Sequence, residues 1–102
     1  MEGKKAFKIE ARDNVATVLE DIQAGDMALI TDKRGVKVLE LICCESIPFG
    51  HKVAIHEIPP GDDIVKYGEK IGMATEQIKP GFHVHVHNLE STRARGDWEK
   101  EG

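Results

Sequence analysis

The sequence has 102 residues, 40% of them apolar, 31% charged and 5% aromatic, with a formal net charge of −4. That length supports one core, built mainly on Ile, Val, Leu and Ala, and the acidic balance excludes a nucleic-acid or anionic-membrane surface, which needs a basic excess. No apolar run approaches the roughly 20 residues that span a bilayer, and Met1-Glu-Gly-Lys-Lys-Ala-Phe-Lys8 has no apolar signal core, so the expected location is cytoplasmic.

Phe7-Lys-Ile-Glu10 alternates apolar and polar residues and predicts a first strand. Asp13-Asn14 predicts the cap of a short helix over 15–22, whose Val15, Val18, Leu19 and Ile22 fall at helical spacing. Ile22-Gln-Ala-Gly-Asp26 is the first of three related phrases, followed by Ile58-Pro-Pro-Gly-Asp62 and Ile78-Lys-Pro-Gly-Phe82. Each sets a buried Ile before a tight turn, and the Pro-Gly pairs favour type II. A strand-like run follows each one: Met27-Ala-Leu-Ile30, Ile64-Val-Lys-Tyr67 and His83-Val-His-Val86. Unequal spacing excludes a solenoid and predicts one small sheet that reuses its corners.

Residues Thr31–Gly35 predict a hairpin turn between Met27–Ile30 and Val36–Ile42. Neighbouring Cys43 and Cys44 would point to opposite faces of that run, so reduced thiols are expected and a Cys43–Cys44 disulfide is not. There is no zinc-knuckle spacing. Val53-Ala-Ile-His56 predicts another short strand, and Glu76-Gln-Ile78 a single helical turn. The expected organisation is one domain over 1–91 and a charged, mobile tail over 92–102. The expected fold is mostly β, with one or two short helices.

The chemistry concentrates in Gly81-Phe-His-Val-His-Val-His-Asn-Leu89. In a strand His83, His85 and His87 share one face, while Phe82, Val84 and Val86 pack against the core. Neighbouring imidazoles then start roughly 6.5–7 Å apart and a pair closes on one metal ion; the outer two start roughly 13 Å apart. Three readings stay open at this point: a solvated histidine face, a self-contained metal site, and a site completed by another chain. His51 and His56 stand at no known ligand spacing. A cupin barrel would need a second histidine motif further on, and none follows. Gly50-His-Lys52 and Lys66-Tyr-Gly68 are corners that would suit an anion if they converge; taken singly, such residues are solvated surface. No Ser/His/Asp order, P-loop or Gly-x-Gly-x-x-Gly is present.

Asp13-Asn-Val-Ala16, Gly50-His-Lys-x-Ala54, Lys66-Tyr-Gly-x-x-Ile-Gly72, Ala74 and Gly81-x-His-Val-His-Val-His-Asn88 occur in that order. Over about residues 6–91 this pattern resembles the small N-terminal domain of the altronate/galactarate dehydratase family. The same module stands alone as the small subunit of altronate dehydratases and as the alpha subunit of sulfolactate sulfo-lyase. The resemblance implies an SAF-type β-clip fold and half of an enzyme, with a large dehydratase subunit carrying most of the catalytic apparatus. It implies a β-elimination on a small sugar acid, aided by a divalent metal, Fe2+ or Mn2+, shared with that partner.

Carried over by position, His85 and His87 are metal-proximal or acid/base groups, and Asn88 is their orienting or substrate-bonding neighbour. His83 lies in the same motif. His51, Lys52, Lys66 and Tyr67 match motifs on the substrate-binding side, and Gly68, Gly72 and Gly81 are backbone requirements. Trp98 in the tail is expected to anchor a partner. The rival expectation is a free-standing module of the same fold that holds a sugar acid or metal without catalysis; a third is a structural adaptor. The sequence does not separate altronate, galactarate and sulfolactate, nor fix whether the protein forms a homo-oligomer.

Overall fold

The Ile-x-x-Gly phrase occurs four times along the chain, and its four turns set the architecture. The structure, a computed structural model, describes residues 3–91; the tail and Trp98 lie outside the described residues. The strands are β1 (Lys4–Phe7), β2 (Val15–Val18), β3 (Met27–Thr31), β4 (Lys37–Ile42), β5 (Lys52–Ala54), β6 (Asp63–Lys66), β7 (Glu69–Ala74), β8 (His83–Val84) and β9 (Leu89–Ser91). Beyond the three expected copies there is a fourth, Ile47-Pro-Phe-Gly50. In every copy the Ile is buried, with Ile22, Ile47, Ile58 and Ile78 at most 2% exposed. In every copy the Gly has a positive φ, from 86° to 95°, as the third position of a type II turn requires.

The copies pair two by two through reciprocal backbone bonds: Ile22 with Ile47 at 2.9 and 2.8 Å, and Ile58 with Ile78 at 2.8 Å both ways. The neighbouring bonds repeat too. Gly25 N–H donates to the Cys43 carbonyl as Gly61 N–H donates to Ala74, and Gly50 donates to Val18 as Gly81 donates to Ala54. The chain is therefore a structural tandem, one copy built around the β3–β4 hairpin and the other around β6–β7.

The two sheets have the orders β4-β3-β1-β2-β5-β8 and β6-β7-β9. Among the described residues only β1 and β3 run parallel; the other pairs are antiparallel. Strand alternation divides the core. One face of the larger sheet gathers Ala16, Val18, Ile30 and Val53 with Ile22 and Ile47. The other face sends Val15, Ala54 and Val84 against Ile58, Ile64 and Ile78 of the second copy.

The chain is mostly β, as expected, but no helix forms among the described residues. The stretch expected as a helix over 15–22 is β2 followed by a bend and an Ile22 bridge. Val15, Thr17 and Val18 are β-branched and prefer a pleated surface, and Leu19, an apolar position of the supposed helix, is 42% exposed. Asp13 does not cap a helix. Its buried carboxylate accepts N–H bonds from Ile9, Glu10 and Gly68 at 3.1, 3.1 and 2.7 Å. Burial alone would raise this carboxyl, and those backbone donors reverse the effect and hold it below the usual range. Asn14 adds bonds to Val65 N–H and the Asp63 carbonyl, tying the two sheets together. The expected helical turn at Glu76–Ile78 is likewise absent, because Ile78 is committed to its bridge with Ile58.

The first strand lies earlier than Phe7–Glu10, since the N–H groups of Ile9 and Glu10 turn to Asp13. The hairpin at Thr31–Gly35 is where it was expected. Cys43 is buried and Cys44 exposed, both as free thiols, and burial pushes the Cys43 thiol up to about 11.

Candidate functional site

Two corners of the tandem meet at one end of the larger sheet. The Pro48–His51 turn delivers His51 to the start of β5, and the Lys79–Phe82 turn delivers His83 to β8. β5 and β8 pair as Lys52↔Val84 and Val53↔His83, and one further step of that register sets His51 opposite His85. Those two rings stack with centroids 4.0 Å apart and planes 15° apart. His51 Nδ1 and His83 Nε2 share a hydrogen bond of 2.9 Å.

The expected four-residue strand stops at Val84 because Asn88 folds the chain over. Buried Asn88 accepts the His85 N–H at 3.0 Å through Oδ1 and donates to the His83 carbonyl at 2.9 Å through Nδ2. The resulting turn throws Val86 out to 79% exposure, so Val86 does not join the core as alternation predicts. It also swings His87 back to His83, with centroids 5.2 Å apart and planes inclined at 45°.

Two three-residue donor groups result, each with candidate ligand atoms mutually within 4.8 Å: His51, His83 and His85, and Glu45, His83 and His87. His85 belongs to the first, His87 to the second and His83 to both. Glu45, missed in the sequence, also accepts the His83 N–H at 2.9 Å. A cleft of about 400 Å³ opens beside Glu45 and His87, with Asn88, Phe82, Glu76 and Lys79 in its walls. The rings are not sealed inside: His51, His83 and His85 are half-buried and His87 is exposed. His56 is exposed and joins neither donor group.

Of the residues expected on the substrate side, His51 stands among the imidazoles. Lys52, Lys66 and Tyr67 form a second group. Lys52 lies across from Thr17 on the opposite face of β5 from His51 and Val53. The Tyr67 hydroxyl is 3.4 Å from Thr17 Oγ1, and the Lys66 ammonium sits 4.9 Å from the Tyr67 ring centre. Tyr67 has φ 57° at the tip of the β6–β7 hairpin, the one non-glycine residue in that region among the described residues. Burial, and then the charge of Lys66, lower the Lys52 pKa.

Burial first, then the His51, His87 and His85 charges, push His83 down to about 4, against a smaller opposing pull from Glu45. His85 is lowered by burial, then by His51, Lys52 and His87. Both rings are therefore uncharged at neutral pH. With His83 ionising near 4 when folded and near 6.5 when unfolded, the unfolded chain takes up the proton first as pH falls. Stability is thus expected to drop as pH falls from about 6.5 towards 4. Thermal melts across this window check it: His83→Gln should flatten the fall, and equal slopes for both chains would contradict the assignment. Asp13, held below its ordinary 3.8, adds its loss only at more acidic pH.

Residues 4–92 match the family model described as the altronate/galactarate dehydratase SAF domain. The chain is 40% identical over 88 residues to an altronate dehydratase of Bacillus subtilis, covering 86% of this chain and 16% of that protein. It is 34% identical over 85 residues to the (2R)-sulfolactate sulfo-lyase subunit alpha of Chromohalobacter salexigens, covering 82% of this chain and 90% of that subunit. Over 77 residues it is 42% identical to the galactarate dehydratase (L-threo-forming) of Escherichia coli, covering 74% of this chain and 13% of that enzyme. The chain thus spans a small fraction of the dehydratases and nearly all of the sulfo-lyase subunit.

Proposed function

The chain belongs to the altronate/galactarate dehydratase SAF domain family, and from that premise we propose that it is the small subunit of a sugar-acid hydro-lyase, completed by a separate large subunit. The observation that carries this reading is the imidazole array, which is assembled by the fold but left open beside a cleft. The near-complete span of a sulfo-lyase subunit alpha supports a separate partner chain.

The reaction proposed is a β-elimination. A proton leaves the carbon beside a carboxylate, its electron pair becomes the new double bond, and hydroxide departs from the neighbouring carbon; sulfite departs instead if the substrate is sulfolactate. His85 and His87 act as acid/base or metal-proximal groups, and the lowered pKa of His85 keeps it ready to accept a proton at pH 7. Asn88 holds the turn that orients both rings. Lys52 and Lys66 offer positive charge to substrate carboxylates, with Tyr67 beside Lys66, and His51 meets the substrate from among the imidazoles. The donor types present, imidazoles and the Glu45 carboxylate, are those a divalent cation takes. Bound Fe2+ or Mn2+ would supply Lewis acidity towards the leaving group.

Among the described residues no helix is long and apolar enough to cross a membrane; a cytoplasmic location is part of the proposal. The test is reconstitution with a dehydratase-like large subunit, assaying altronate and galactarate dehydration and sulfite release from sulfolactate. Activity in the pair and none in either chain alone is expected. A complex that forms and turns over none of the three would sink it. The second reading, a free-standing metal or sugar-acid module, is favoured only by both donor groups lying within one chain; unaltered binding with no partner-dependent activity would support it.

A further inference from the structure

Two donor groups share His83, and their geometries differ in a way that separates their roles. An imidazole ligand binds through an in-plane lone pair, so an ion must lie close to the plane of every ring that holds it. His51 and His85 are stacked face to face at 4.0 Å and 15°. Their planes do not meet near either ring, so an ion held by one lies well out of the other's plane. The planes of His83 and His87, inclined at 45°, do intersect nearby. His51 is further committed by its 2.9 Å bond to His83 Nε2.

Glu45 adds the other distinguishing feature. With His83 and His87 it makes a two-histidine, one-carboxylate set, the donor pattern suited to a hard or borderline divalent ion with open positions. Six-coordinate ligands about 2.1 Å from one ion lie roughly 3–4.2 Å apart, so a set already within 4.8 Å needs only small side-chain shifts. Both Glu45 and His87 line the cleft, so coordination positions left free would face it. The all-imidazole group lacks the carboxylate.

We propose that Glu45, His83 and His87 form the divalent-cation site of this chain, open to the cleft, and that His85 stands outside the coordination shell. His51 is then a positioning residue, fixing the tautomer and tilt of His83 through the hydrogen bond it already makes. The assignment gives the family-level reading a specific ligand set and rests on that reading only for the ion's use in catalysis.

Titration of the untagged full chain with MnCl2, followed by calorimetry and by the Mn2+ resonance signal, tests it. Glu45→Gln and His87→Ala should each weaken Mn2+ binding by at least about 10-fold, the scale at which even supporting residues of metal sites act. His85→Ala should change it less than about threefold. Glu45→Gln keeps an acceptor for the His83 N–H, so its loss of binding would not stem from unfolding; matched melting curves verify this. Equal losses in His85→Ala and His87→Ala, an unaffected Glu45→Gln, or no Mn2+ binding at millimolar ion would overturn the assignment. These outcomes are separable from the subunit reading. Partner-dependent turnover without this binding pattern defeats the site alone, and the pattern without turnover defeats the subunit reading alone.

Discussion

His87→Ala, paired with a large subunit, is expected to lower kcat by roughly 10²–10⁴-fold, the span over which a positioned acid, base or metal-holding group contributes. The ring lines the cleft and leans over His83 at 5.2 Å, so its removal empties the one exposed corner of the array. Because it is exposed, the folded chain should hardly notice, with a change within about 0.5 kcal/mol. His56→Ala is the matched control, since that ring is also exposed and joins neither donor group. Steady-state kinetics on both variants decide the matter. A loss confined to KM, or a kcat within about threefold of the parent, would show that His87 does not serve the chemistry. Rescue of turnover by added imidazole with Mn2+ binding unchanged from the parent would argue for proton transfer over metal holding.

The second large effect concerns the corner that delivers His83. Gly81 has φ +90°, and a Cβ there would lie 2.4 Å from the Ile42 carbonyl oxygen. Gly61 occupies a similar Pro-Gly turn at φ +86° with nothing within 4 Å of such a Cβ. Gly61→Ala should therefore carry only the backbone penalty, about 1–2 kcal/mol. Gly81→Ala adds an overlap with backbone that costs roughly 1–3 kcal/mol more. Urea unfolding of the two variants measures the difference, and equal stabilities would mean that the approach of Ile42 relaxes freely. The distortion should reach the site as well. The Gly81 carbonyl accepts the Cys44 N–H at 2.8 Å, and the next residue along is Glu45, so Gly81→Ala is expected to loosen the contact between Glu45 and His83.

Much of the fold was legible in the chain because its corners have a chemical signature. Pro-Gly after a buried Ile specifies a type II turn whatever surrounds it, and both Pro-Gly corners form one. The β3–β4 hairpin was readable on similarly local grounds, whereas the first strand was expected three residues too late because Ile9 and Glu10 give their N–H groups to Asp13. The helix expected over 15–22 failed for a tertiary reason. Val15 faces one core and Ala16 and Val18 the other, so a strand buried on both sides produced a run of apolar residues that also satisfied helical spacing. β7 went unseen because Gly72 and two charged residues interrupt its pattern.

At the site, the histidine motif announced itself, but its alternation was misleading past Val84. The cause is Asn88, which spends its amide on the backbone of His83 and His85. Glu45 gave no local signal at all, since its bond to His83 spans 38 positions of sequence. The grouping of Lys52 with Thr17 and Tyr67 depends on strand pairing across the sheets, which one sequence does not disclose.

The tandem arrangement bears on when this protein becomes competent. His51 is supplied by one half and His83, His85 and His87 by the other, 32 or more positions downstream. Closing that long loop is among the slower steps for a chain rich in distant pairings. Before β5 and β8 pair, His51 and the later histidines are joined only by the intervening chain. The array therefore exists only once the two halves have joined, because His51 meets His83 and His85 nowhere but across that seam.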